Sequence, residues 1–481
     1  MGSFKHTTVI ARPVQEVIDW HLRPGALTRA TPHWAGSVEL DKGVEKGMQA
    51  RLKVAVPATK GLMTRNWTAL ITEVTDRSFT DTALEAPVAQ WQHTHDFLET
   101  ANQTVVRDSI EFTLTPKDAV KERAVAKNSG ALEFAGNALT GIEAISDKVA
   151  ERFFEKVFQA RGARIEADLE FQERYADVAP QTIVIAGASG MVGRQVSALL
   201  TTGGHTVRTL VRRAPQAEGE YRWDPDAGEI DESVFEGADA VIHLGGASIN
   251  TRFTEKNKKK ILESRVKSTA LLARTLARLA GENKGPATLV VASAIGIYGA
   301  DRAGEILSED STAGRDFLAE VCARWEQAAD PAREAGLRVV HVRTSIVLTP
   351  LGGALRLQLP LFLTGTGGTV GKGENIQSWI SLDDIAGIYV HSVLRENVEG
   401  AINAVAPEPV ANKKLATTVG KVLKRPAVMR APRLTSDALL GKEGTDQLVL
   451  ADQNVSNDKL TGTGYVYFHD TLRRALESEL G

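Results

Sequence analysis

The sequence predicts two architectures in series: an α+β domain, then an α/β domain on a parallel sheet with a small C-terminal subdomain. Three observations carry this. Between residues 182 and 343, β-branched apolar runs alternate with helical patterns, the order that a parallel sheet with right-handed crossovers requires. The first of those strands enters Gly187-Ala188-Ser189-Gly190-Met191-Val192-Gly193, and an apolar-periodic helix follows at once. Before residue 165 the order is one strand, two short helices, a run of alternating strands and one long amphipathic helix.

In chain order, Phe4–Ile10 reads as a strand. Pro13 opens a short helix carrying Val14, Val17, Ile18 and Trp20, since proline is tolerated in a first turn. A second short helix follows Pro24. Strands are then expected at Ser37–Leu40, Met48–Val56, Leu62–Val74, Ser78–Ala83 and Trp91–Leu98. The clearest strand is Val106–Leu114, where Val106, Asp108, Ile110, Phe112 and Leu114 share one face. Leu139, Ile142, Ile145, Val149, Phe153, Val157 and Phe158 form one stripe, which predicts a helix from about 136 to 160. Residues 162–181 are polar and acidic, with Pro180 near their end, and 166–181 is the expected linker, a helical extension or coil.

From Thr182 the pattern changes. Thr182–Ala186 is the first strand of the second domain and His205–Arg213 the second; the third falls within 220–235 and is poorly marked. Ala238–Leu244 is the fourth, stopped by Gly245 and Gly246. A Lys/Arg-rich helix spans Lys256–Leu279. The fifth strand is Thr288–Ser293 with its loop to Gly299, Phe317–Ala329 is helical, and Leu337–Arg343 is the sixth. Ligands of such sheets bind beyond the carboxyl ends of the strands.

The glycines give that crevice a chemistry. Gly187 permits a tight turn, Gly190 lets backbone approach a pyrophosphate, and Gly193 lets the helix pack closely. The helix N-terminus then offers N–H groups and partial positive charge to phosphates. The spacing is GxxGxxG, and between a strand and a helix it predicts dinucleotide binding on a Rossmann-type domain.

Composition bounds the rest. The 481 residues exceed one ordinary core, so two or three domains are expected. A net charge of −3 argues against nucleic-acid or membrane partners, and Lys256–Lys260 reads as a solvated helix face. The single cysteine, Cys322, excludes an intrachain disulfide framework, fits a reducing cytoplasm and has no metal-ligand spacing around it, so no metal is expected. No window of about 18 apolar residues exists, nor a signal-peptide layout.

Several motifs together resemble the extended short-chain dehydrogenase/reductase superfamily, in its nucleotide-sugar epimerase branch. They are the glycine loop, His243-Leu244-Gly245-Gly246-Ala247, Ser293-Ala-Ile-Gly-Ile-Tyr298-Gly299, and Ser378-Trp-Ile-Ser-Leu-Asp383-Asp384. Asp316–Glu326, Arg343–Leu348 with Gly352-Gly353, and Lys459–Phe468 are similar to one atypical subgroup, the epimerase-family proteins of uncertain activity. Residues 1–165 resemble, by element order alone, the helix-grip fold of START-like and polyketide-cyclase-like (SRPBCC) domains. That resemblance implies an apolar cavity under the long helix, which Trp20, Trp34, Trp67 and Trp91 could line, and a hydrophobic ligand within it.

The superfamily's chemistry needs a tyrosine with a lysine four residues on. No YxxxK occurs, and by alignment on Glu326 those places hold Leu318 and Cys322. Ser293 keeps the auxiliary hydroxyl position; Tyr298, with Arg302 four residues on, is the one candidate replacement, though early in the chain for the usual geometry. The end of the second strand carries Val211-Arg212-Arg213 in place of an acid, which suits a 2′-phosphate and predicts NADP(H). The resemblance alone adds Arg265 and Val347 as positions near the cofactor. Two classes stay open: an NADP-dependent epimerase or reductase whose small-molecule substrate lies against residues 351–380, and a nucleotide-binding or sensing protein without turnover.

Overall fold

The computed structural model describes residues 2–57, 59–114, 147–431 and 433–481. Contacts divide the chain into two units, Met1–Phe171 and Gln172–Gly481.

In the first unit, β1 (Gly2–Ile10) precedes helices α1 (Val14–Leu22) and α2 (Ala26–Ala30). Six strands follow: β2 (Gly36–Leu40), β3 (Gln49–Ala55), β4 (Thr64–Val74), β5 (Ser78–Glu85), β6 (Val88–Thr100) and β7 (Gln103–Leu114). They form one antiparallel sheet in the order β1-β7-β6-β5-β4-β3-β2. Every strand in this unit therefore falls where alternation predicted it, to within a few residues. The inward face of β7 reads Thr104, Val106, Asp108, Ile110 and Phe112, all buried, with strict period two.

Helix α3 (Asp147–Glu173) crosses that sheet. The Leu139–Ile145 part of the expected stripe lies outside the described residues. Phe154 and Phe158 pack on Phe4, Ile110 and Phe112. Toward its end, Ile165 and Leu169 join Val17, Ile18, Phe79, Phe97 and Val106 in a second cluster. Residues 166–173, expected as the start of a linker, are thus helix, and 166–171 belong to the first unit. The polar composition misled because one of its acids is internal. Asp168 receives hydrogen bonds from Arg29 Nε at 2.8 Å and Nη2 at 2.5 Å, and both side chains are fully buried.

The second unit is built on an eight-stranded sheet, order β11-β10-β9-β8-β12-β13-β15-β20. Its strands are β8 (Thr182–Ala186), β9 (Thr206–Val211), β10 (Glu220–Asp224), β11 (Glu229–Ile230), β12 (Ala240–His243), β13 (Thr288–Ala294), β15 (Arg338–Thr344) and β20 (Gly400–Ala404). All pairings are parallel except β10 with β11. The poorly marked third strand is β10. It pairs with β9 over only Glu220–Arg222, near the sheet edge, so it lacks the continuous apolar run of a strand buried on both faces. Helices α4 (Met191–Thr202), α5 (Glu255–Gly281) and α6 (Phe317–Gln327) follow β8, β12 and β13 respectively. Short strands complete the C-terminal region: β14 (Asp301–Leu307), β16 (Ile346–Leu348), β17 (Gly368–Val370), β18 (Ile376–Gln377) and β19 (Trp379–Ser381) among them.

Beyond β19, Asp384 ties the tail to the body. Its carboxylate accepts from Ser381 Oγ at 2.6 Å, from Phe468 N at 2.7 Å and from His469 N at 3.1 Å. The motif around Asp383-Asp384 is therefore an anchor for the C-terminal segment.

The Arg29–Asp168 pair yields a stability prediction. Asp168→Ala leaves a guanidinium buried without its counter-charge, which should cost about 3–5 kcal/mol. Denaturant unfolding of the full chain, followed by fluorescence of the first unit's tryptophans, checks this; a loss under about 1 kcal/mol would mean that the pair is solvated.

Candidate functional site

Strand order reverses between β8 and β12, and those two strands end together, Ala186 beside His243. In a parallel sheet the crevice above such a reversal is where ligands bind. Two loops frame it here, Gly187–Gly190 and Leu244–Ala247.

The three glycines of the first loop do different work. Gly187 has φ +94°, and a Cβ on it would stand 3.1 Å from Leu244 C and from Gly245 N. A Cβ on Gly193 would meet Gly187 O at 2.2 Å. Both are demanded by the protein's own backbone. Gly190 differs: its nearest such contact is Gly187 O at 3.3 Å, and it caps α4 with no side chain bonded to the first-turn N–H groups. No acidic residue stands in that first turn. An anion's space and its donors are thus both present, and the residues fit the pyrophosphate of a dinucleotide.

The second loop is held from below. His243 is fully buried, and its Nε2 lies 2.9 Å from Ser268 Oγ. Ser268 spends its own proton on Ser264 O at 2.7 Å, so the imidazole donates there through Nε2–H. Its Nδ1 is then the acceptor for Gly245 N–H at 3.3 Å. Burial, reinforced by the charges of Arg265 and Arg212, lowers the His243 pKa to about 3, so this tautomer is neutral. Ala247 is clipped on both sides, its N–H to Ser264 Oγ at 2.9 Å and its carbonyl to Arg265 Nη1 at 2.9 Å. Arg265 stacks over Trp325 at 4.9 Å, and a Cβ on Gly246 would meet its guanidinium carbon at 3.1 Å. Val347 lies in β16, paired with β19. The following turn brings Gly352 against Met191, whose Sδ would stand 2.9 Å from a Cβ there.

The two arginines after Val211 part company. Arg213 makes a bidentate ion pair with Glu220, at 2.7 and 2.5 Å, and this holds the Glu220 carboxyl near pKa 2. Arg212 is exposed and makes no hydrogen bond or ion pair among the described residues. Of the two expected cofactor residues, Arg213 is thus paired with a carboxylate and Arg212 is not.

The expected catalytic positions are occupied as follows. Ser293, at the end of β13, donates to Glu326 Oε1 at 2.7 Å. Arg343 grips both oxygens of Glu326, at 2.9 Å each. Burial alone would raise the Glu326 pKa, but these bonds and the Arg343 charge hold it below its usual value. Tyr298 is fully buried; its hydroxyl donates to Asn403 Oδ1 at 2.6 Å and accepts from Arg343 Nη1 at 3.0 Å. Burial raises its pKa. Arg302 bonds the Tyr298 carbonyl at 2.9 Å and pairs with Glu305, so it does not stand in for a lysine beside the phenol. Tyr298 therefore packs inside the protein with its hydroxyl held on both sides. Leu318 and Cys322 are buried on α6, and burial pushes the Cys322 thiol up to about 12.

Sequence reasoning did not assign Glu326, Arg343 or Asn403 to the site. An acid and a base on elements otherwise predicted apolar was the available signal. In the first unit it also missed a cluster: Asp81, His93 and His95 bring ligand atoms within 4.8 Å of one another. That cluster stands in the wall of a cavity of about 200 Å³. Trp20, Trp67 and Trp91 also line this cavity, together with Phe153, Phe154 and Phe158 of α3; Trp34 instead packs edge-on against Phe153.

Comparison with known proteins agrees with this geometry. Residues 183–404 match the NAD dependent epimerase/dehydratase family, and residues 431–479 match a domain of unknown function (DUF1731). The epimerase family protein Mb2239 of Mycobacterium bovis is 36% identical over 300 residues, 62% of this chain and 97% of the relative. Human epimerase family protein SDR39U1 is 32% identical over 61% of this chain and 98% of its own length. Its isoform 2, solved with NADPH, superposes with TM-score 0.56 at 29% identity, over 62% of this chain and 99% of that one. The nucleoside-diphosphate sugar epimerase of Corynebacterium glutamicum covers all of this chain and 90% of its own, with TM-score 0.74 and 32% identity. The chain belongs to the NAD dependent epimerase/dehydratase family, among its epimerase family proteins. Among the described residues no helix is long and apolar enough to cross a membrane.

His243 makes stability pH-dependent. The unfolded chain takes up a proton near pH 6.5, whereas the folded site refuses it down to about pH 3. Its contribution is therefore full above pH 6.5 and is lost as pH falls through that window, by up to about 1.4 kcal/mol per pH unit. Urea midpoints at pH 7.5 and pH 5 should differ less in His243→Gln than in the parent, since glutamine donates to Ser268 without titrating.

Proposed function

We propose that this protein binds NADP(H) in the crevice between the Gly187–Gly193 and Leu244–Ala247 loops and acts as an epimerase- or reductase-like protein on a small molecule. The observation that carries the cofactor reading is the contrast at Gly190. A Cβ there would meet a single backbone atom, Gly187 O at 3.3 Å, whereas one on Gly187 or Gly193 would be hemmed by three atoms at 2.2–3.2 Å. The preference for a 2′-phosphate is supported by Arg212, whose guanidinium makes no hydrogen bond or ion pair among the described residues while its neighbour is bound to Glu220. The human relative solved with NADPH supports the same choice. The Corynebacterium relative, a nucleoside-diphosphate sugar epimerase, supports the epimerase-like side of the reading. When bound, a nicotinamide supplies hydride chemistry. The chain's own contribution is to bind and orient it and to hold Ser293, whose proton is committed to Glu326.

A second reading, a nucleotide-binding or sensing protein without turnover, is favoured by one observation. The Tyr–Lys places hold buried Leu318 and Cys322, and Tyr298 is spoken for. We also read the first unit as a helix-grip, START-like domain whose cavity takes an apolar ligand. Its single long helix across a seven-stranded antiparallel sheet supports that, as do the tryptophans in the cavity wall. The lone Cys322 supports a cytoplasmic location.

Calorimetry tests the cofactor. Arg212→Ala should weaken NADPH binding by about 1–3 kcal/mol and leave NADH untouched; equal losses would remove the 2′-phosphate assignment. Gly190→Val should abolish binding of both nucleotides with the circular dichroism spectrum retained, because the space its side chain fills is ligand space. Normal binding by that variant would put the site elsewhere. Nucleotide sugars that neither epimerise nor change the redox state of bound NADP⁺ or NADPH would favour the sensing reading.

A further inference from the structure

The antiparallel register of β5, β6 and β7 stacks four polar residues on one inward-facing patch. Asp81 is opposite His93, and His95 is opposite Asp108. His93, His95 and Asp108 are each at most 4% exposed, on a sheet face that is otherwise largely apolar or aromatic. Their arrangement is directional. Asp108 Oδ1 lies 2.9 Å from His93 Nε2 and 2.8 Å from His95 Nδ1, the second contact off the line of a regular hydrogen bond. One carboxylate oxygen thus hydrogen-bonds His93 Nε2 and stands as a close counter-charge beside His95 Nδ1. The other nitrogens, His93 Nδ1 and His95 Nε2, both face Asp81 Oδ2, at 3.5 and 3.9 Å. Asp81's second oxygen is taken by Trp91 Nε1 at 3.3 Å.

We propose that Asp81, His93 and His95 bind a divalent transition ion of the zinc or iron(II) class, with Asp108 and Trp91 as its orienting outer partners. Two imidazoles and one carboxylate are a donor set for such ions and leave coordination positions open. Two metal–ligand bonds of about 2.1 Å span at most about 4.2 Å, so both distances to Asp81 already allow a shared ion. Imidazole ligands are characteristically fixed by a carboxylate on the far ring nitrogen, which is what Asp108 does for His93, while its charge stands beside His95. Charge points the same way. Asp41 and Asp81 stand in a largely apolar cavity wall, with Asp108 against both rings, and the cation in that lining is Arg161, which stacks on Phe158 at 5.0 Å. Buried charge of one sign calls for a counter-ion. The open positions face the cavity of about 200 Å³, so a ligand there would meet the ion with an oxygen donor and the tryptophans with an apolar body. The ion site does not depend on the NADP(H) reading.

The full chain, stripped with a chelator and dialysed, is titrated with Zn²⁺ and with Co²⁺. One equivalent should bind, with Co²⁺ giving visible absorption bands of a nitrogen–oxygen site. His93→Gln and His95→Gln should each weaken binding by more than roughly 100-fold, and Asp108→Asn by roughly 10–100-fold, the cost of losing an outer partner. His21→Gln is the control; its ring lines the same cavity but is bound to the Val17 carbonyl at 2.6 Å. If a variant misfolds, proton NMR of the Co²⁺-loaded parent replaces it: two paramagnetically shifted ring N–H signals are expected, one per histidine. No binding by the parent, binding undiminished in the double His93→Gln/His95→Gln variant, or absence of shifted ring N–H signals would overturn the site. NADPH affinity should be the same before and after stripping, which keeps this outcome separate from that of the nucleotide site.

Discussion

The second unit depends on a single close approach. The turn after β8 passes so near the turn after β12 that Gly187 has no room for a Cβ between Leu244 and Gly245. The consequence spreads outward. Because Gly187 turns at φ +94°, the chain reverses into α4 within a few residues, and Gly193 packs on the carbonyl of that same glycine. On the far side, Gly245 sits over the His243 ring, where a Cβ would stand 2.8 Å from its Cε1. The crevice is therefore rigid on both rims because each is wedged against buried matter. Rigidity of this kind lets backbone N–H groups face a phosphate without being reorganised by it.

Behind the crevice the polar groups are paired to one another instead of being poised. Arg343 binds Glu326 through both oxygens, touches Tyr298, and bonds the Glu309 carbonyl at 3.0 Å. Asn403 joins from β20, taking the Tyr298 proton, while its own N–H reaches Glu309 Oε1 at 2.7 Å. A buried carboxylate and guanidinium compensated this completely hold neighbouring strands and α6 in register, but offer no proton at a useful pKa. An acid/base pair needs the opposite, a group left under-compensated near the ligand. The geometry supports a preserved binding site more directly than it supports a preserved reaction.

Much of the fold was legible because both architectures write their period into short stretches. β7 alternates without interruption, and the β8 run Thr-Ile-Val-Ile-Ala ends in a glycine turn. Where the period failed, the cause is physical. β10 is a short polar strand near an edge, and residues 166–173 look like a linker because Asp168, a buried ion-pair partner, counts as polar in composition. Burial of a paired charge cannot be read from one strand of sequence; its partner Arg29 is 139 positions away.

The same reasoning separates the sites that were found from those that were missed. A glycine loop is a local object: strand, turn and helix occur in one run of residues, and each glycine's reason lies within a few positions or in one facing loop. The Asp81–His93–His95–Asp108 patch and the Ser293–Glu326–Arg343–Tyr298 network are objects of register. No member declares its partner in its own element, and the chemistry appears only when neighbouring elements are aligned residue by residue. His93 and His95 did carry a partial signal, two imidazoles at period two on the face that also holds Phe97. Asp108 carried the stronger one, a carboxylate in the middle of an apolar face between Val106 and Ile110. A buried charge costs several kcal/mol unless it is answered. An acid at an inward strand position is therefore evidence that a partner exists, and the adjacent strand is the first place to look for it.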